Sequence, residues 1–469
     1  MMKREKPDTS PPFFRVATII HLLLACAWLQ ACGGGSVVVS AGMPGNPETG
    51  EPGETNIGSP LPSAIRIPRV ASLESSAYVV TTSFPLDIFR YDLEDEAPYP
   101  FVPYVLAGKI QGIPDELLFL DEDNAFFTTS GGIADAGEGI HLFDPDPPAP
   151  EAFSLAESVS VSPVTLNPPL PDSAGDPVSQ LQPRYTSGVA ESNGKLYVCT
   201  SNFTATGGSP VCPPGTVLIY DWNPGSPPPT ITVSDPSFLV TTGFNPTEVT
   251  ALGERFVLVT NTGVVAIRNA QAVPLTDGSV DVIDTELGCI VASYPLGLGA
   301  PSYKPIAIVP DGTRALLGSV SFNSVYELDL TVLDDSLESC PDPVPQLEEA
   351  VLAGPEDPIV VGPNPQTVND FIVQVGLNWN GTQAYATGYN SGTVSILEVE
   401  TREGVASPKS VARVLALTPP LDPLEPTLEE VGPGPLAVRA GRPGIDYTGP
   451  DLFVLTGMPT GKMLSIQTY

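Results

Sequence analysis

The chain has 469 residues, with 54 Asp and Glu against 20 Lys and Arg and a formal charge of −34 at pH 7, a field that repels phosphate backbones and argues against a nucleic-acid partner. The 42% hydrophobic fraction argues against disorder and for a sizeable core. Proline, at 55 residues, is more than twice its usual share of about 5%, which argues against long helices.

Taken in chain order, the first feature is an export signal. Lys3, Arg4, Lys6 and Arg15 precede a mostly apolar run over 16–29 that ends at the small residue Ala31. The run is too short for a confident membrane span. Leu29, Gln30, Ala31 and Cys32 resemble the bacterial lipobox, which implies cleavage after residue 31 and acylation of Cys32. Leu23, Leu24, Ala25 and Cys26 form a competing match with a shorter apolar run. Losing residues 1–31 removes four basic and two acidic residues and takes the charge to −36. Residues 32–64, rich in Gly and Pro, read as a flexible linker between the anchor and the folded body. Gly33, not Asp, follows the cysteine, which by resemblance to Gram-negative sorting implies the outer membrane or cell surface, with the membrane reached through the lipid.

The body from 65 to 469 repeats. Residues 303–330 and 370–401 share the same order of apolar strand, tight turn, second strand, short Asn/Ser connection and alternating third strand. Asp311-Gly312 and Asn380-Gly381 fill the same slot and predict two-residue hairpin turns with positive φ. Second strands recur seven times: AYVVTT from Ala77, AFFTTS from Ala125, LYVCTS from Leu196, FVLVTN from Phe256, ALLGSV from Ala315, AYATGY from Ala384 and LFVLTG from Leu452. Alternating third strands such as GIHLFDP, SVDVIDTE and TVSILEVE follow them, and FVPYVLA, TITV, CIVASYPL and VARVLAL read as fourth strands. Four antiparallel strands repeated seven times predict an all-β fold, a seven-bladed β-propeller. The stretches AYATGYNSGTVSILEVET and GSVDVIDTELGCIVASYPLG resemble the YVTN-type propeller repeat, whose bearers include surface-layer-like proteins and lactonase-like enzymes. The last blade lacks a fourth strand of its own, and either SVVVS (36–40) or the segment just before Ile65 is expected to close the ring.

The remaining cysteines of the body are Cys199, Cys212, Cys289 and Cys340. An even number in an exported chain predicts two disulfides, Cys199 with Cys212 across one hairpin loop and Cys289 with Cys340 between neighbouring blade rims. Imidazole chemistry has only His141 to use once His21 leaves with the signal, and His141 reads as a strand side chain. The clusters Asp92, Glu94, Asp95 and Glu96, then Asp121, Glu122 and Asp123, then Asp334 and Asp335, lack the spacing of a calcium loop and read as solvated turn residues. No cofactor or metal ligand set is expected, although calcium at low affinity is conceivable on so acidic a surface. Long connections between second and third strands in blades two, three and four (131–139, 202–215 and 262–278) sit on one rim. The last offers Val264, Val265, Ile267, Arg268, Asn269 and Gln271 as a candidate binding loop, an apolar centre with polar neighbours. The alternative is an extra strand there. The functional expectation is a lipid-anchored binding or scaffolding module at the cell envelope, not an enzyme, with a protein or glycan partner. The rival expectation is a lactonase-like hydrolase that uses carboxylates or a divalent cation.

Overall fold

The computed structural model describes residues 52–57, 62–82, 86–130, 138–206, 209–223, 230–268, 271–362, 370–400, 407–418, 432–439, 450–457 and 461–468. The signal, Cys26, Cys32 and the 36–40 segment lie outside these residues.

The strands form seven four-stranded antiparallel blades. After β1 (Gly53–Asn56), blade one is β2 (Pro62–Arg66), β3 (Ser76–Thr81), β4 (Asp87–Asp92) and β5 (Phe101–Val105). Blade two is β6 (Ile113–Phe119), β7 (Ala125–Ser130), β8 (Gly139–Phe143) and β9 (Leu155–Ser160). A hairpin of β10 (Val164–Pro171) and β11 (Pro177–Leu181) then leads to blade three, made of β12 (Thr186–Ser192), β13 (Lys195–Thr200), β16 (Pro214–Asn223) and β17 (Thr230–Phe244), with the small ribbon β14 (Thr204–Thr206) and β15 (Ser209–Val211) inserted. Blade four is β18 (Pro246–Leu252), β19 (Phe256–Asn261), β22 (Ser279–Asp284) and β23 (Cys289–Pro295), and it carries the ribbon β20 (Val265–Arg268) and β21 (Gln271–Pro274). Blade five is β24 (Ala307–Ile308), β25 (Arg314–Gly318), β26 (Ser324–Asp329) and β27 (Val351–Ala353), with β28 (Ile359–Val360) also on β26. Blade six is β29 (Ile372–Leu377), β30 (Gln383–Gly388), β31 (Thr393–Glu398) and β32 (Val411–Ala416). Blade seven joins β33 (Pro433–Val438), β34 (Leu452–Thr456) and β35 (Lys462–Ile466) to β1.

Strand alternation explains how each blade buries both faces. Along β19 and β22, Leu258, Val280 and Val282 point to a cluster shared with blade five, whereas Val257, Val259 and Ile283 point to one shared with blade three. Seven such clusters occupy the seven inter-blade gaps, including the one between blades seven and one, so the ring is closed. The closing strand is β1, whose Gly53 to Asn56 pair in antiparallel register with Ser465 to Lys462. It lies within the stretch whose composition suggests linker, and neither of the two expected segments serves. The segment before Ile65 is instead β2, the inner strand of blade one. Ile57, fully buried beside Phe453 and Met463, shows why the folded body starts before residue 65: its side chain fills the seam that closes the ring.

The hairpin turns also differ from expectation. Only the glycine has positive φ, +75° at Gly312 and +71° at Gly381. The preceding Asp311 and Asn380 accept hydrogen bonds from the N–H and hydroxyl of Thr313 and Thr382. The side chain thus supplies the turn contact that a second positive φ was expected to provide.

Cys289 and Cys340 form a disulfide from the start of the outer strand of blade four to the long connection of blade five. The other expected bridge is absent. Cys199 and Cys212 are separate buried thiols. Cys199 points from β13 into the core between blades three and four, where Ser187 Oγ lies 3.4 Å from its sulfur. Cys212 is held elsewhere, by reciprocal bonds between its backbone and Ser173 of the β10–β11 hairpin.

Candidate functional site

Six of the seven inner strands carry an irregularity in register near their start: Pro62/Ala64, Pro114/Leu117, Thr186/Val189, Pro246/Glu248, Ile372/Val375 and Pro433/Leu436. Four of these irregularities open on a proline, which cannot donate to the ladder and so tolerates such a site. The bulged positions bridge neighbouring blades through hydroxyls: Ser63 Oγ donates to Asp115 O, Thr128 Oγ1 to Ser187 O, Ser187 Oγ to Thr247 O and Ser302 Oγ to Val373 O. These links draw the inner strands into a tight ring around the channel.

Five charged side chains meet inside this ring. Arg66 Nη2 lies 2.5 Å from Glu116 Oε1, and Lys304 Nζ lies 3.5 Å from Asp115 Oδ1 and 3.6 Å from Glu116 Oε2. Glu248 is buried near them, its Oε1 accepting from the Val249 N–H at 2.9 Å. The same fold-back occurs at Glu116, whose Oε1 accepts from Leu117 N–H. Burial would lower the Lys304 pKa, but Asp115 and Glu116 outweigh it and hold the ammonium above its usual range. Burial, then the like charge of Glu116, pushes the Glu248 carboxyl well above its usual range against the opposing pull of Arg66 and Lys304.

Beside this cluster a cleft of about 140 Å³ opens at the mouth of the channel, lined by Tyr303, Val373, Tyr389, Gly432, Pro435 and Thr456 among others. Phe371 lies between the two tyrosines, its ring centroid 5.7 Å from Tyr303 and 6.1 Å from Tyr389. Asp370 sets this aromatic row by accepting from the N–H groups of Phe371, Asn390 and Ser391. Gly432 is required there, since a Cβ would lie 1.7 Å from the Tyr389 carbonyl oxygen.

In a propeller, the connections from second to third strands and from fourth to next first strands emerge on the same face, because successive strands reverse direction. Leu275, Leu298, Tyr303 and Phe322 all lie in such connections and are 38% to 53% exposed. They belong to the connections of blades four and five on the face that carries the cleft, and Tyr303 lines the cleft itself.

The candidate binding loop takes the alternative form, an extra strand. Its residues build the ribbon β20–β21, in which Val265 pairs with Pro274 and Arg268 with Gln271, and Val264 is buried, with its carbonyl accepting from Leu275 N–H. Ile267 occupies the ribbon between Val265 and Arg268, and Asn269 lies outside the described residues, as does most of the 131–139 connection. The exposed apolar residue of this segment is Leu275, at the ribbon's base. His141 is a structural residue: Thr129 Oγ1 is 3.0 Å from its Nε2 and Ser158 Oγ 2.8 Å from its Nδ1, its ring stacks on Phe127, and burial pushes its pKa down to about 4. The carboxylates of the turns cap local backbone, as Asp92 does for Glu94 N–H, Asp121 for Asp123 N–H and Asp334 for Ser336 N–H. Among the described residues no group of three His, Cys, Asp or Glu side chains is arranged to hold a metal ion.

Sequence reasoning missed the channel cluster, although a signal existed. Glu116-Leu117, Glu248-Val249 and Gln374-Val375 each place a polar residue before an apolar one, at or beside the register irregularity of an inner strand.

No protein-family model and no curated protein matches the chain. Among solved structures, Kuenenia stuttgartiensis hydrazine synthase aligns at a TM-score of 0.51 with 11% identity, over 88% of this chain and 97% of that one. The β-propeller domain of Cps50 (Swd1) from Myceliophteria thermophila aligns at 0.48 with 12% identity, over 88% and 98%. A putative 6-phosphogluconolactonase from Bacteroides uniformis aligns at 0.47 with 14% identity, over 78% and 89%. At such identities the likeness concerns the propeller fold and not activity.

Proposed function

We propose that the chain is an exported, lipid-anchored propeller that serves as a binding or scaffolding module at the cell envelope, at the outer membrane or cell surface, and that it meets a protein or glycan partner with the face around the channel mouth. The observation that carries this reading is that exposed Leu275, Leu298, Tyr303 and Phe322 lie in connections of the same face as the aromatic cleft, which Tyr303 lines, apolar side chains of the kind that form the centre of a contact surface. Support for binding over the rival hydrolase comes from the channel chemistry: Asp115 and Glu116 are engaged with Arg66 and Lys304, and both His141 nitrogens are engaged with hydroxyls.

Anchoring through Cys32 suits the topology, because β1, the first strand among the described residues, lies on the outer rim of blade seven. Residues 33–52 reach at most roughly 70 Å when extended. Metabolic labelling with a palmitate analogue is expected to disappear in Cys32→Ala, and labelling that disappears only in Cys26→Ala would move the anchor upstream. For the face itself, co-isolation from solubilised envelopes is expected to lose its stoichiometric partner in Leu298→Ser/Phe322→Ser and to keep it in Trp379→Ser, an exposed residue on the opposite face. The reverse pattern contradicts the assignment.

A further inference from the structure

We propose that the channel cluster is a proton-binding site: Glu248 carries a proton at neutral pH, and its release in alkaline medium loosens the ring. Glu116 and Glu248 come from blades two and four and have unlike surroundings. Glu116 faces Arg66 at 2.5 Å and Lys304 at 3.6 Å. Glu248 has no cation within 4.0 Å among the described residues, and its carboxyl is wedged over Gly188 of blade three, where a Cβ would lie 2.5 Å from Oε1.

The groups that face Glu248 are Arg66 from β2, Asp115 and Glu116 from β6, Cys199 from β13, and Lys304 from the connection before β24. Burial raises the Cys199 thiol to about 12, so it is neutral. Arg66 and Lys304 are then balanced by Asp115 and Glu116, two charges of each sign. An ionised Glu248 would add a third negative charge, buried and with no cation within 4.0 Å among the described residues, which is the costly arrangement. The carboxyl buried without a cation beside it is the one that keeps a proton, while the cations pair with Asp115 and Glu116. The linkage follows in sign. A carboxyl raised in the folded state binds protons more tightly there than in the unfolded chain, so its contribution is greatest at low pH and is lost as pH rises from the ordinary carboxylate range towards the folded value.

The test is infrared spectroscopy of the mature protein labelled with ¹³C-glutamate, combined with melting curves across pH. A protonated-carboxyl band is expected at neutral pH, lost on alkaline titration and missing in Glu248→Gln, whose melting temperature should fall less between neutral and alkaline pH than that of the wild type. Glu116→Gln supplies a second arm if that variant does not fold. Without the Glu116 charge, Arg66 and Lys304 turn to Glu248, and the band should vanish at neutral pH. A wild-type spectrum lacking the band, a band unchanged in Glu248→Gln or in Glu116→Gln, or parallel melting profiles would overturn the proposal.

Discussion

Replacing Ile57 by alanine tests the closure of the ring. Ile57 is fully buried, its N–H donates to Gly461 O at 2.9 Å, and its side chain packs with Ile65, Tyr99, Phe453 and Met463 across the seam of blades seven and one. The substitution removes three carbons, worth about 0.8 kcal/mol each in transfer, and leaves a cavity that the rigid seam fills only in part, so the total loss should be about 3 kcal/mol. Equilibrium urea unfolding of the mature protein reads this directly. Deletion of residues 33–50 should cost almost nothing in the same assay, because β1 and Ile57 remain. A loss below about 1 kcal/mol for Ile57→Ala, or a large loss for the deletion, would refute closure by Gly53–Asn56 and return the role to the 36–40 segment.

Three further outcomes are expected. Replacing Cys289 and Cys340 together by serine opens a link that closes 51 residues of chain and should lower stability by about 4 kcal/mol on the chain-entropy estimate; reducing the wild-type protein should give the same loss in urea. His141 is a base whose folded pKa of about 4 lies below its ordinary value of 6.5, so the folded state binds fewer protons between these values. Its contribution is complete above pH 6.5 and is lost as pH falls towards 4, a change of about 3 kcal/mol that His141→Gln should flatten in pH-dependent melting. Arg314 and Glu327 form a fully buried pair at 2.6 Å, so Arg314→Met should cost about 3–5 kcal/mol by stranding the carboxylate, and adding Glu327→Leu should recover part of it.

The architecture was legible because the second and third strands are packed between blades and written in apolar residues. Ala125, Phe256 and Leu452 each open a second strand where the sequence places one. The inner strands were harder to see, since they are bulged, polar at the channel and as short as Ala307–Ile308. The closing strand GETN has no apolar alternation, and only its ladder with β35 and the burial of Ile57 reveal it. The channel cluster draws residues 66, 115, 116, 248 and 304 into one place, so no local spacing announces it. The 262–278 connection is open in sequence to two readings, a binding loop or an extra strand, and burial of Val264 with pairing of Val265 to Pro274 decides for the strand, as a two-stranded ribbon.

The central claim is that the face around the channel mouth meets the partner. Site-specific photo-crosslinking in intact cells tests it most directly, with the crosslinker placed in turn at Leu298, Phe322 and Trp379 of the full chain. The account predicts one discrete adduct shared by Leu298 and Phe322 and none at Trp379. An adduct at Trp379 alone would contradict it.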